Sequence, residues 1–173
     1  MSMSSKKELH GETPTKKLRI CCYAFSSSNT IEPYNAEAYN LGRILARRGH
    51  TCVNGAGHAG CMGALNNGAS DAGGHIVGVI HRMFAVDGAG FHPVFEKGRY
   101  ANSELQMAGG NDLQQRKRLL VQDAHALIVL PGGPGTWDEV RKCSSLKYIQ
   151  VVFFVKNIEC LFDIRPFPFE SFV

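Results

Sequence analysis

The sequence lacks the marks of a membrane, secreted or polyanion-binding protein. No apolar run approaches the roughly 20 residues that a bilayer span needs. No C-x-x-C pair occurs among the six cysteines, Cys21, Cys22, Cys52, Cys61, Cys143 and Cys160. Met1–Lys17 has no apolar stretch of the kind that drives secretion. Free thiols in a reducing, cytoplasmic setting are therefore expected, with no membrane partner. A zinc site from His58, Cys61 and Cys52 would match no standard ligand spacing, so no metal is expected. Excess charge is also small: 19 Lys+Arg face 15 Asp+Glu, a formal net +4. Residues 1–19 hold Lys6, Lys7, Lys16, Lys17 and Arg19 against Glu8 and Glu12, a net +3, which leaves +1 for the remainder. A body so close to neutral argues against a nucleic-acid partner.

What is present reads as a single globular domain. The chain has 173 residues, 44% hydrophobic and 20% charged, enough to bury a core. Residues 1–17 are polar and basic and read as a disordered leader, with one domain over 18–173. Leu18–Phe25 is an apolar run with little alternation, as for a strand buried on both faces. Tyr34–Arg48 reads as a helix: Tyr34, Ala38, Leu41 and Leu45 share one face, and Arg43 and Arg47 lie opposite. Gly49 suits its C-terminal cap. A strand at Thr51–Asn54, a small-residue helix at Gly60–Ala72 and a strand at His75–Ile80 follow. Residues 81–111 are rich in glycine and show no clear period, so they read as a functional loop or as short hidden elements. Beyond them the pattern predicts a helix at Asp112–Gln122, a strand at Ala124–Leu130, a helix at Gly135–Lys147 and a strand at Ile149–Val155. Strands alternating with helices imply an α/β, Rossmann-like parallel sheet with helices on both faces. Such sheets bind ligands at the carboxyl ends of their strands.

The most informative stretch is Ala126–Val140, ALIVLPGGPGTWDEV. The strand runs into Pro131-Gly132-Gly133-Pro134-Gly135-Thr136, and a helix follows. The unpaired N–H groups of that helix start favour an anion, above all a phosphate. The turn is neither a Walker A loop nor G-x-G-x-x-G. Glu139, three residues after Thr136, completes a capping box on spacing alone. Its other role is a carboxylate set beside a bound phosphate, serving the cationic centre of a sugar that loses its base. Asp138 competes for that role, or simply faces the helix dipole.

A second constellation is Asp112-Leu113-Gln114-Gln115-Arg116-Lys117. On a helix, Leu113 and Leu120 mark the apolar face. Arg116 lies on or beside it and Lys117 flanks it. An arginine turned inward needs a paired anion. Asp112 and Gln115 can form a capping box at the helix start. Two more turns, Ser26–Asn29 and Gly55–Gly63, could line the same crevice with small donors and bare backbone. His58, within the second, reads as a surface loop residue or as a contact to phosphate or base.

Taken together, the P-G-G-x-G-T-x-x-E run from Pro131 to Glu139 and the upstream Arg116-Lys117 pair resemble the joint signature of the LOG family. These are cytokinin riboside 5′-monophosphate phosphoribohydrolases, often labelled lysine decarboxylase-like. The resemblance runs from about Leu18 to Asp163 and includes the serine turn, the G-x-G-x-x-G-x-M-G stretch at 55–63 and Gly78–Ile80. It implies a Rossmann-like fold, a homodimer, and hydrolysis of the N-glycosidic bond of a nucleoside 5′-monophosphate to free base and ribose 5-phosphate. It implies Arg116 and Glu139 as catalytic residues. Lys117, Gly132, Gly133, Gly135, Thr136, Ser27, Gly57 and Met62 are the expected substrate contacts, and no cofactor is required. The sequence departs from the family where M-H-x-R-K becomes Leu113-Gln114-Gln115-Arg116-Lys117, where G-G-G becomes Gly55-Ala56-Gly57, and where G-S-S becomes Ser26-Ser27-Ser28. Family members continue past the last strand with further helices. Here LFDIRPFPFESFV follows, a tail from about 160 with Phe162, Phe167, Phe169 and Phe172, which reads as a shortened or substituted terminus.

In the expected mechanism the 5′-phosphate rests on the N–H groups of Gly133–Thr136 beside Arg116 or Lys117, and Glu139 stabilises the positive charge that grows on the ribose. A decarboxylase would need a pyridoxal-phosphate lysine, and Lys117 has no flanking residues to build that site. A nucleotide-binding protein of the same fold without turnover is the main alternative.

Overall fold

The computed structural model describes residues 16–86, 91–96, 102–110, 113–143 and 150–153. Among these, six strands form one wholly parallel sheet: β1 (Arg19–Tyr23), β2 (Thr51–Asn54), β3 (His75–His81), β4 (Ser103–Ala108), β5 (Ala126–Val129) and β6 (Gln150–Phe153). Their spatial order is β4-β3-β2-β1-β5-β6. The chain therefore turns back between β1 and β5, and this reversal opens a crevice at the carboxyl ends of the two strands. The central strands are buried on both faces, which explains why β1 shows no alternation.

Helices α1 (Glu32–Arg47) and α2 (Gly60–Asp71) cover one face. Ala38, Leu41 and Leu45 of α1 and Cys61, Met62 and Leu65 of α2 pack there on Ile20, Cys22 and Cys52. The two helices approach so closely at Gly42 that a methyl group there would overlap the Leu65 carbonyl. Tyr34, expected on the apolar face of α1, is exposed at the first turn. The helix ends in a Schellman turn: Gly49 sits at φ +71° and donates to the Ala46 carbonyl, and His50 donates to that of Leu45, both at 2.9 Å. Helices α4 (Gln114–Val121) and α5 (Pro134–Cys143) accompany the opposite face, where Leu120 and Val140 meet Cys21, Tyr23, Val53, Val77, Val79 and Leu127. Cys21, Cys22, Cys52 and Cys61 are buried in these cores.

Among its described residues, the stretch at 81–111 hides three elements: a short helix α3 (Arg82–Val86), a 3₁₀ turn at Pro93–Phe95 and the edge strand β4. β4 has the sequence SELQMA and pairs with β3 from Ile76↔Ser103 to His81↔Ala108. Its polar composition follows from its edge position, half open to water. The leader's first 15 residues, Asp112, the end of the helix expected to Lys147 and the tail from about 160 lie outside the described residues.

Candidate active site at the carboxyl ends of β1, β2, β3 and β5

α4 and α5 bring two dipeptides face to face. Arg116 Nη1 donates to Glu139 Oε1 at 2.8 Å, and Lys117 Nζ lies 2.5 Å from Asp138 Oδ2. The side chains of Arg116 and Glu139 are each only 14% exposed. The inward-turned arginine thus has the anion that its placement demanded. Arg116 is held at two further points. Its Nε donates to the carbonyl of Val79, at the end of β3, at 3.2 Å. Its guanidinium also lies against Gly55, where a Cβ would overlap Nη2. One side chain therefore joins the ends of β2 and β3 to α5. Burial pushes the Glu139 carboxyl above the ordinary carboxylate range, and Asp138 adds to this; the charges of Arg116 and Lys117 and the hydrogen bond from Arg116 pull the other way.

The capping box that spacing allows at Thr136 and Glu139 is not formed, and the one at α4 involves Asp112, outside the described residues. α5 begins at Pro134, whose fixed φ suits the first helical position. Thr136 is therefore inside the helix, buried with its side chain packed on Gly132, and Glu139 is free to reach Arg116. At α4, Gln115 Oε1 accepts from the Gly109 N–H at 2.8 Å, so it ties the helix to the end of β4. In the glycine turn, Gly133 accepts from the Trp137 N–H at 3.2 Å, while Gly135 and Thr136 belong to the first turn, whose N–H groups have no intrahelical acceptor. The turn is fastened to β1 by Phe25, which donates to the Pro131 carbonyl at 3.0 Å and whose ring lies against Gly133.

The other expected contacts build the neighbouring loops. Ser27 is engaged in its own turn: its Oγ accepts from Asn29, and its carbonyl accepts from the Thr30 backbone and hydroxyl. Gly57 lies against Ser26 and donates to Met62 Sδ at 3.0 Å. Met62 is buried, and its N–H is bonded to the Phe25 carbonyl at 2.9 Å. His58 is exposed on this loop. Among the described residues no three His, Cys, Asp or Glu gather as metal ligands.

Sequence reasoning passed over the support beneath the 55–57 loop. Asn54 and Asn66 are wholly buried and joined, Nδ2 to Oδ1, at 2.7 Å. Asn54 Oδ1 accepts from the Ala56 N–H at 2.9 Å, and Asn66 Nδ2 donates to the Gly57 carbonyl at 3.2 Å. These bonds hold Ala56 at φ +63°, a conformation that non-glycine residues rarely adopt. Two asparagines flanking a glycine turn, at the end of a strand and on the next helix, were the available signal.

The profile of the SLOG cluster4 family matches residues 25–165. The chain belongs to the SLOG cluster4 family. Relatives include the cytokinin riboside 5′-monophosphate phosphoribohydrolase LOG of Oryza sativa subsp. japonica, 30% identical over 168 residues, covering 94% of this chain and 63% of that protein. The cytokinin riboside 5′-monophosphate phosphoribohydrolase of Rhodococcoides fascians is 35% identical over 124 residues, covering 72% and 57%. The chain thus spans about three fifths of the length of these relatives. Solved structures share the fold. The molybdenum cofactor binding protein of Rippkaea orientalis matches with a TM-score of 0.61 at 19% identity, over 85% of this chain and 83% of that one. The molybdenum cofactor carrier protein of Chlamydomonas reinhardtii matches with 0.58 at 22%, over 80% and 76%. In this chain the Arg-Lys and Asp-Glu dipeptides lie at the crevice that the strand order creates. Among the described residues no helix is long and apolar enough to cross a membrane.

Proposed function

We propose that this SLOG protein hydrolyses the N-glycosidic bond of a nucleoside 5′-monophosphate, AMP or a cytokinin riboside monophosphate, to free base and ribose 5-phosphate. The observation that carries this reading is the enclosed Arg116–Glu139 pair, set beside a helix start that suits a phosphate. The phosphate binds at the N–H groups of Gly135 and Thr136 with Lys117 nearby. The C1′–N bond breaks, and its electron pair leaves with the base. Positive charge grows on the ribose, and the fixed Glu139 carboxylate stabilises it without having to reorganise. Water adds to C1′ and its proton ends on the departing base. Arg116 holds Glu139 in place. The names of the two phosphoribohydrolase relatives agree with this reading.

Nucleotide binding without turnover is the second reading. It is favoured by the mutual neutralisation of Arg116 and Glu139, which satisfies the carboxylate before any substrate arrives. Incubation with AMP and with isopentenyladenosine monophosphate, followed by quantification of free base, separates the two. Base release by the wild type and a loss of about 100-fold or more in Glu139→Ala are expected. Equal release by both proteins refutes the role of Glu139, and tight binding with no product supports the second reading. A homodimer is the assembly proposed with this activity, to be measured by light scattering.

A further inference from the structure

The two ion pairs between α4 and α5 are not alike. Arg116 and Glu139 enclose each other, whereas Lys117, 14% exposed, is paired with an Asp138 that is 58% exposed. Arg116 is also fixed by Val79 and Gly55. Lys117 carries a compact ammonium on a flexible four-carbon stem, with three donors that can turn toward a new acceptor. An ion pair with one member in solvent is weak and exchangeable. Asp138 follows Gly135 by three residues, so the two share one side of α5. The Lys117 ammonium is thereby held about one helical turn from the N–H groups at the helix start.

We propose that Asp138 is a resident competitor for the substrate's phosphate: it holds Lys117 in the ligand-free site and yields it to a phosphate monoester when one binds. The inference rests on the reading of the α5 start as the phosphate site. A phosphate dianion brings more charge than a carboxylate and also satisfies the first-turn N–H groups, so it wins Lys117 from Asp138. Asp138 then turns to solvent, which its exposure permits at little cost. When the phosphate leaves, Asp138 takes Lys117 back. The exchange weakens the grip on every phosphate monoester, and so speeds the departure of a phosphorylated product at the expense of substrate affinity.

The test is calorimetric titration of wild type, Asp138→Asn, Lys117→Gln and the double variant with AMP, ribose 5-phosphate and adenosine. Asp138→Asn is expected to bind AMP and ribose 5-phosphate tighter, by up to about 5-fold. Adenosine, which has no phosphate, binds unchanged. In the Lys117→Gln background the Asp138→Asn change has no effect. Asp138→Ser should repeat the result and guards against an effect peculiar to asparagine. Unchanged or weaker phosphate binding in Asp138→Asn overturns the proposal. So does a gain that persists undiminished without Lys117, since that would be a general charge effect. Because the readout is affinity, wild-type protein that binds AMP but releases no base overturns the hydrolase reading and leaves this one to the Asp138→Asn result. Wild-type protein that binds neither AMP nor ribose 5-phosphate overturns both.

Discussion

Replacing Arg116 with methionine should destabilise the protein in a strongly pH-dependent way. Glu139 is 14% exposed and takes a 2.8 Å hydrogen bond from Arg116. Burial already lifts its pKa above the ordinary carboxylate value, and Arg116 limits that rise. An acid whose folded pKa exceeds its unfolded one binds more protons when folded. Its contribution is full below the unfolded pKa and is lost as pH rises through the folded pKa. Removing Arg116 lifts the folded pKa further, so the loss deepens and extends to higher pH. Breaking a buried pair costs about 3–5 kcal/mol. The residual exposure of Glu139 puts the cost at or just below the lower end, about 2–3 kcal/mol near pH 8. Near pH 4 the folded Glu139 is largely protonated. Only the arginine's hydrogen bonds and its contact with Gly55 are then lost, about 1 kcal/mol. For a chain of this size the expected falls in Tm are about 4–12 °C near pH 8 and about 2–4 °C near pH 4. Thermal unfolding at the two pH values measures both. Arg116→Met with Glu139→Gln removes the orphaned charge and should recover most of the loss near pH 8. Equal destabilisation at the two pH values, or no recovery in the double variant, would refute the account of Glu139 as an enclosed charge held by Arg116.

Two substitutions test the loop that backs the arginine. Gly55→Ala places a Cβ on Arg116 Nη2, so the guanidinium must leave Val79 and Glu139. Base release should fall by about 100-fold, and stability should fall to within about 1 kcal/mol of the Arg116→Met protein; undiminished release would show that the loop does not hold the guanidinium. Ala56→Gly relieves a positive φ at +63° but removes a wholly buried methyl group. Each effect is worth about 1 kcal/mol, so Tm should stay within about 2 °C of wild type. A loss above about 1.5 kcal/mol in denaturant unfolding would show that the methyl contact dominates and that Ala56 is unstrained.

Most of the fold was legible because parallel α/β proteins announce their elements. β2 at Thr51–Asn54 matches its expected bounds, and α1, α2 and β3 match within two residues at either end. β3 is strongly apolar and α1 strongly periodic, and Gly49 and Gly73 follow helix ends that the structure closes with Schellman turns. β4 was not legible. At the sheet edge SELQMA carries Glu104 and Gln106, and its hydrogen-bonded partner on β3 is distant in sequence, so no local pattern separates it from a polar loop.

For the candidate site, local chemistry pointed to the residue types that meet at the crevice, and tertiary packing decided what they touch. Thr136 and Glu139 have the spacing of a capping box, and Asp138 the position of a dipole-facing acid. Both readings are local, and each is overridden by contacts across 21 or 23 residues or by the start of α5 at Pro134. The clue was the pairing of dipeptides. Arg116-Lys117 faces Glu139-Asp138 in reversed order, so the inner pair meets as Arg116–Glu139 and the outer as Lys117–Asp138. Arg116 and Lys117 on α4 are equally enclosed, at 14% exposure, and the difference lies on α5, where successive side chains are turned by about 100° and Glu139 is 14% but Asp138 58% exposed. One pair is therefore enclosed from both helices and the other is open to water on its Asp138 side. The enclosed pair has a fixed geometry, which suits a group that must meet a reacting centre, and the open pair has a cation that can change partners, which suits a group that must bind and release. The division of labour proposed for the site follows from that difference in depth.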